Sequence, residues 1–176
     1  MTSHTDVAVI TASNGENLKL ASRFIDVSHE LSIKSRLIDL TTIDLPLFNP
    51  RVNNSESEKV SLLSKDLNDQ LSEAERWVIC APEYNGSIPP TLSNAIAWLS
   101  IQEQDFRHLF NGRPIGLASV SGGGCMELLV SMRIQLSHLG AQVLGRQLSS
   151  NTRNPAKDES IKSLLLLLMQ MKRLKS

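Results

Sequence analysis

Three short stretches bring together residue types able to hold a ligand. The first, Thr11-Ala12-Ser13-Asn14-Gly15-Glu16-Asn17, places hydroxyls, side-chain amides and a glycine between an apolar run and an amphipathic segment. At a helix start such groups surround an anion while the free N–H groups of the first turn point at it. The stretch is neither G-x-G-x-x-G nor a Walker A sequence, which argues against a Rossmann dinucleotide site and an NTPase. An ordinary capped helix, with Ser13 or Asn14 as the cap, is the plainer alternative. The second stretch runs Ala81-Pro82-Glu83-Tyr84-Asn85-Gly86-Ser87-Ile88-Pro89-Pro90 and contains the only tyrosine. Asn-Gly favours a turn with positive φ, and Pro-Pro fixes the way into a helix. A turn this stiff shows its N–H and C=O groups in fixed directions, suited to the edge of a flat heterocycle; it also suits a rigid connector whose tyrosine covers apolar surface. The third, Val120-Ser121-Gly122-Gly123-Gly124-Cys125, has three consecutive glycines. These let a ligand or a neighbouring chain approach the backbone, or simply make a flexible turn.

The elements that position these stretches are legible as alternation. Apolar runs at 7–11, 36–40, 77–81 and 115–121, with a weaker fifth at 142–144, are separated by helical patterns at 17–31, 55–71, 90–101, 126–139 and 157–174. Strand and helix in turn predict an α/β fold with a parallel sheet. In the first helix Leu18, Ala21, Ile25 and Ser28/His29 fall near one face, and in the second Val60, Leu63, Leu67 and Leu71. Five strands and five helices in 176 residues fit a single flavodoxin-like domain, doubly wound, strand order 2-1-3-4-5, with helices on both faces. Ligands bind such sheets beyond the carboxyl ends of the strands where the order reverses, here between strands 1 and 3. All three stretches follow strands at that edge. The Pro- and Asn-rich segment 45–57 is predicted to be a loop within the domain.

The block Pro82-Glu83-Tyr84-Asn85-Gly86-Ser87-Ile88-Pro89, continuing through Leu92, Asn94, Ala95, Ile96 and Trp98, resembles the signature of the NADPH-dependent FMN reductase family, which includes quinone, azo-dye and chromate reductases. The resemblance implies a flavodoxin-like fold that binds FMN, takes hydride from NADPH or NADH and passes it to a small acceptor such as a quinone, free flavin, azo compound or metal oxyanion. It implies that Ser13 and Asn17, with Asn14, Gly15 and Leu18 beside them, hold the phosphate. Pro82, Glu83, Tyr84, Asn85 and Gly86 would line the isoalloxazine, with Ser119, Ser121, Gly122 and Gly123 closing the far side. It also implies a homodimer or homotetramer. The family's first loop commonly reads Gly-Ser-x-Arg, whereas this one begins Thr11-Ala12-Ser13-Asn14. No catalytic side chain is expected, because the flavin carries the hydride chemistry. A flavin-binding electron carrier or sensor without nicotinamide turnover is the alternative.

Composition narrows the partners. With 18 basic and 18 acidic residues the chain is formally neutral, and aromatics are 4% of it, so neither a polyanion footprint nor a base-stacking platform is expected. Neutrality also disfavours a carrier that docks on a basic protein. His4, His29, His108 and His138 are scattered, and Cys80 and Cys125 belong to no cluster, so no metal site is expected. Cys125 begins a helix, where the dipole can activate a thiol, although an inert small residue is the simpler reading. The start is polar, followed by a short apolar run without a basic leader, and 164–169 is too short to span a bilayer, so a cytoplasmic protein is expected. That last run is apolar all round its helix, with Lys172, Arg173 and Lys175 after it, which predicts a subunit contact and a helix ending in basic residues.

Overall fold

The computed structural model describes residues 5–50 and 57–174. Strands β1 (Thr5–Thr11), β2 (Ser35–Asp39), β3 (Ala74–Cys80), β4 (Pro114–Val120) and β5 (Gln142–Val143) form a parallel sheet in the order β2-β1-β3-β4-β5. Helices α1 (Glu16–Glu30), α2 (Ser57–Ser72), α3 (Pro90–Leu99), α4 (Met126–His138) and α5 (Asp158–Gln170) connect and cover it. The expected order and layering are present.

The layering follows from the two-residue period of a strand. On β1, Ala8 and Ile10 face one core with Leu67, Leu92, Leu129 and Met132 of α2, α3 and α4. Val7 and Val9 face the other, with Phe24 of α1 and Ile161 and Leu164 of α5. Both sets are fully or nearly fully buried, which is why the strand reads as a continuous apolar run.

A sixth strand, β6 (Leu148–Ser150), departs from the five-strand expectation. The two-residue β5 pairs only Pro114 and Ile115 of β4, and β6 takes over the same edge opposite Ala118, Ser119 and Val120. Two short pieces thus share the position of one strand. The buried stripe of α1 is Asn17, Leu20, Ala21, Phe24, Val27 and Ser28, rotated from the predicted face, so Leu18 and Ile25 are only half-buried. In α2, Leu67 and Leu71 are buried as expected and Leu63 is half-buried; Val60 lies outside the described side chains. Residues 51–56 of the predicted loop, His4 and Lys175 lie outside the described residues as well.

The last helix ends at Gln170, not 174, and no basic residue lies in its last turn. Tertiary hydrogen bonds draw the following residues away. The Met171 carbonyl accepts from Arg76 Nε at 2.8 Å, and Leu174 N–H donates to the Gly112 carbonyl at 2.9 Å. Gln142 Nε2 donates to the Lys172 carbonyl at 2.8 Å, and Arg173 Nη2 to that of His108 at 2.9 Å. One face of α5 is buried through Ile161, Leu164, Leu165 and Leu168, while Leu166 and Leu167 are exposed.

Just ahead of β4, at the sheet edge opposite the three loops, Arg113 is completely buried. Its Nε donates to the Leu109 carbonyl at 2.8 Å, and its Nη1 donates to the carbonyls of Leu71 and Ala74. The guanidinium lies 4.4 Å from the centroid of the Trp77 ring. No carboxylate forms an ion pair with it among the described residues. Burial, helped by the nearby Arg173 charge, pushes its pKa well below the usual arginine range. Among the described residues no helix is long and apolar enough to cross a membrane.

Candidate functional site

The three loops leave adjacent strands at one edge of the sheet and are sewn to one another. Ala12 N–H donates to the Cys80 carbonyl at 3.1 Å, and Ala81 N–H to that of Ala118 at 3.2 Å. The buried Ser119 hydroxyl donates to the Ala81 carbonyl at 2.7 Å. Asn17, 2% exposed, clamps the end of β4: its Nδ2 donates to the Val120 carbonyl at 2.8 Å, and its Oδ1 accepts from Val120 N–H at 2.9 Å.

Two of the residues expected to touch the ligand therefore act inwards. The side chains of Asn17 and Ser119 are spent on backbone groups, because the loop ends they join would otherwise leave polar atoms unpaired away from water. Asn17→Ala removes both bonds to Val120 and is expected to cost about 2 kcal/mol. At 2–4 °C per kcal/mol for a chain of this size, the melting temperature of the ligand-free protein should fall by roughly 4–8 °C in a thermal unfolding experiment.

The first loop remains open to a ligand. The α1 N-cap is Gly15, neither Ser13 nor Asn14, and no side chain caps the helix. The first helix bonds are made by Leu18 and Lys19 to the Gly15 carbonyl, so the N–H groups of Asn14, Gly15, Glu16 and Asn17 have no partner among the described residues. Ser13 is half-buried and its carbonyl accepts from Thr11 Oγ1 at 2.8 Å, while Asn14 and Gly15 are exposed and Leu18 is half-buried. Four free donors at the positive end of a helix suit an anion.

In the second loop, Tyr84 and Ser87 exchange backbone hydrogen bonds of 3.2 and 3.0 Å around Asn85 (φ 52°) and Gly86 (φ 67°). Two positive φ values in a two-residue turn give the type I′ hairpin that Asn-Gly favours. Pairing consumes the backbone groups of Tyr84, while those of Asn85 and Gly86 at the tip have no partner among the described residues. Pro82 is buried, and Tyr84 is 49% exposed. Pro89 and Pro90 occupy the N-cap and first position of α3.

Glu83 turns towards α4, where its Oε2 accepts from Leu128 N–H at 3.3 Å. Beside that helix start lies the third loop. Ser121 is half-buried, Gly122 and Gly123 are exposed, and a Cβ built on either would meet nothing within 4 Å. Neither glycine has positive φ. Nothing among the described residues requires the absence of a side chain there, so a group from outside the chain can approach the loop.

Supports the sequence did not reveal surround these loops. Ser150, at the end of β6, donates from Oγ to the Ser119 carbonyl at 2.8 Å, and its own carbonyl accepts from Ser121 N–H at 3.2 Å. Asn94 holds the 45–48 segment, accepting from Phe48 N–H at 2.7 Å and donating to the Pro46 carbonyl at 3.0 Å; Trp98 Nε1 donates to that same carbonyl at 2.8 Å. Cys125, the α4 N-cap, is fully buried with φ 58°. Burial pushes the Cys80 thiol up, which removes it as a nucleophile at neutral pH. Two clefts among the described residues, about 580 Å³ beside His29, Lys34 and Arg36 and about 390 Å³ beside Thr41, Leu47 and Thr91, do not lie between the three loops.

Comparison with known proteins points the same way as the geometry. The model of the family described as NADPH-dependent FMN reductase matches residues 5–154. An NADPH azoreductase of Bacillus sp. (strain OY1-2) is 30% identical over 116 residues, covering 65% of this chain and 60% of that protein. A quinone reductase of Escherichia coli (strain K12) is 32% identical over 106 residues, covering 58% of this chain and 53% of that one. The matched segments thus span somewhat more than half the length of these relatives. Among solved structures, an FMN-dependent NADH-azoreductase from Bacillus anthracis str. Ames Ancestor in complex with FMN superposes with a TM-score of 0.66 at 16% identity, covering 94% of this chain and 96% of that one. At that identity the likeness is one of fold.

Proposed function

Because this chain belongs to the NADPH-dependent FMN reductase family, we propose that it binds FMN across its three loops and reduces a small diffusible acceptor, a quinone or an azo compound, at the expense of NADPH or NADH. The observation that carries the reading is the pairing of unsatisfied donors with open space. Free N–H groups at 14–17 suit a phosphate, free backbone groups at Asn85 and Gly86 suit the polar edge of a flat ring, and nothing stands above Gly122 and Gly123. The acceptor classes come from the named relatives, an azoreductase and a quinone reductase.

FMN, when bound, would supply the hydride-transfer chemistry that links the nicotinamide to the acceptor. The chain's part is to bind and orient. Ser13, Asn14 and Gly15 would hold the phosphate end, while the hairpin at 82–86 and the loop at 121–123 would flank the ring. Asn17 and Ser119 keep those loops in register. No side chain is expected to transfer the hydride, because the flavin would carry that chemistry. α4 also presents Met126, Val130 and Ile134 to solvent in one row, 51%, 48% and 66% exposed, starting beside the glycine loop. This exposed row is where a second copy would sit in the homodimer or homotetramer expected of the family.

The test is uptake of FMN, followed by turnover. FMN at a hundred times its dissociation constant stabilises the folded state by about 2.7 kcal/mol, which raises the melting temperature by roughly 5–10 °C. NADPH or NADH oxidation should then depend on added quinone or azo dye. A protein that takes up no FMN at tens of micromolar and shows no thermal shift would sink the reading. FMN uptake without nicotinamide oxidation would turn it into a carrier or sensor.

A further inference from the structure

We propose that Glu83 is a positioning residue that docks the hairpin of the second loop onto the first turn of α4, setting the gap between that hairpin and the glycine loop. The inference rests on the proposed FMN site and adds a role for one residue in it. Glu83 lies within the stretch that resembles a flavin-lining motif, yet its carboxylate points away from the hairpin tip and onto a helix.

α4 lacks a cap of its own. Its N-cap residue, Cys125, sits in the left-handed region with φ 58° and contributes no side-chain hydrogen bond to the helix. The first helical bond runs from Leu129 N–H to the Cys125 carbonyl at 3.0 Å, so Leu128 N–H is left without a partner inside the helix. The carbonyl one turn earlier, that of Gly124, is taken by the Ser149 hydroxyl at 2.7 Å. Glu83 Oε2 fills the vacancy from 45 residues away, accepting from Leu128 N–H at 3.3 Å. A carboxylate on the third N–H of a helix is what a cap supplies, and its charge is favourable at the positive end of the helix.

The geometry gives this cap a second consequence. The hairpin tip rests close to the same turn: a Cβ on Gly86 would lie 4.0 Å from Glu127 Cβ. The glycine loop runs directly into α4 through Cys125. Glu83 is therefore the hydrogen bond by which one wall of the proposed ring slot is fastened to the helix that continues the other wall. Without it the hairpin keeps its own Tyr84–Ser87 bonds and its turn, but loses its fixed distance from residues 122–124.

Two variants and two measurements test this. In flavin-free protein, Glu83→Ala should speed hydrogen exchange at the Leu128 amide about tenfold, whereas Glu83→Gln, which keeps an acceptor oxygen, should recover most of the protection. FMN titrated into the same proteins should bind about tenfold more weakly to Glu83→Ala than to the parent, with Glu83→Gln within about threefold, and circular dichroism should show all three folded. Unchanged Leu128 exchange in Glu83→Ala overturns the cap. Faster exchange with unaltered FMN affinity overturns the positioning role. If the parent itself takes up no FMN, the proposed function fails first and the proposed positioning role falls with it, while exchange at Leu128 still decides whether Glu83 caps α4.

Discussion

Replacing Gly123 with valine is expected to leave the ligand-free protein as stable as the parent and to weaken FMN binding about a hundredfold. The two halves of this expectation have separate causes. A Cβ at Gly123 meets nothing within 4 Å and its φ is not positive, so a side chain meets no clash and needs no strained backbone. Surface substitutions of that kind change stability by about 0.5 kcal/mol or less, a shift of roughly 2 °C at most. In the proposed FMN site, however, the same methyl groups would stand where the ring is placed. Overpacking a filled site costs about 1–3 kcal/mol, and a hundredfold loss of affinity corresponds to about 2.7 kcal/mol. Fluorescence titration with FMN and a melting curve without it measure the two halves. A variant that binds FMN as tightly as the parent would show that the space above 122–123 is not the ring site.

The second large effect lies at the opposite edge of the sheet. Arg113→Ala is expected to destabilise the protein by about 3–5 kcal/mol, read as a lower urea midpoint. The buried guanidinium donates to the carbonyls of Leu109, Leu71 and Ala74 and lies over Trp77. Truncation leaves those carbonyls without their donor and opens a cavity beneath the indole. Arg113→Lys keeps the charge but cannot span carbonyls on three sides with one ammonium, and should lie between the two. The pH dependence has a definite sign. Burial lowers the folded-state pKa of this cation, so the unfolded chain binds the proton more tightly. The cost of burying the charge is present throughout the neutral range and is relieved as pH rises above about 9, where stability relative to Arg113→Ala increases. A midpoint difference that shrank on alkalinisation would contradict this. Activity should not distinguish Arg113→Lys from the parent below its unfolding transition, since the residue lies far from the three loops.

What the sequence made legible was whatever is encoded locally. Ala8 and Ile10 against Val7 and Val9 announce a strand covered on both faces. Asn85-Gly86 announces a turn of positive φ, and Pro89-Pro90 the start of α3. Each of these signals sits within a few residues of the structure it specifies. What escaped depends on partners distant in the chain. β6 is three residues long, with only one of them apolar, and forms because β5 leaves half of the β4 edge unpaired. The end of α5 is set by Arg76, Gln142 and Gly112 drawing residues 171–174 off the helical path. Leu164 to Met169 looks apolar on every side as a string, yet only one face of it is buried. In the candidate site the loops themselves were legible, but the division of labour was not. Nothing local separates an asparagine that meets a phosphate from one that clamps Val120, or a glutamate that lines a ring from one that caps α4.

The Asn17 clamp has a kinetic side. It joins residues 103 apart in sequence, so the first loop takes its final shape only after the chain between them has been threaded through β2 and β3 and closed by β4. Contacts of such long span form after the local ones, because the entropy of closing the intervening chain must be lost first. A refolding chain with β1, α1 and β2 already native would still present a loose anion site. Flavin capture during refolding is therefore expected to be a late event, lagging behind the recovery of helix signal.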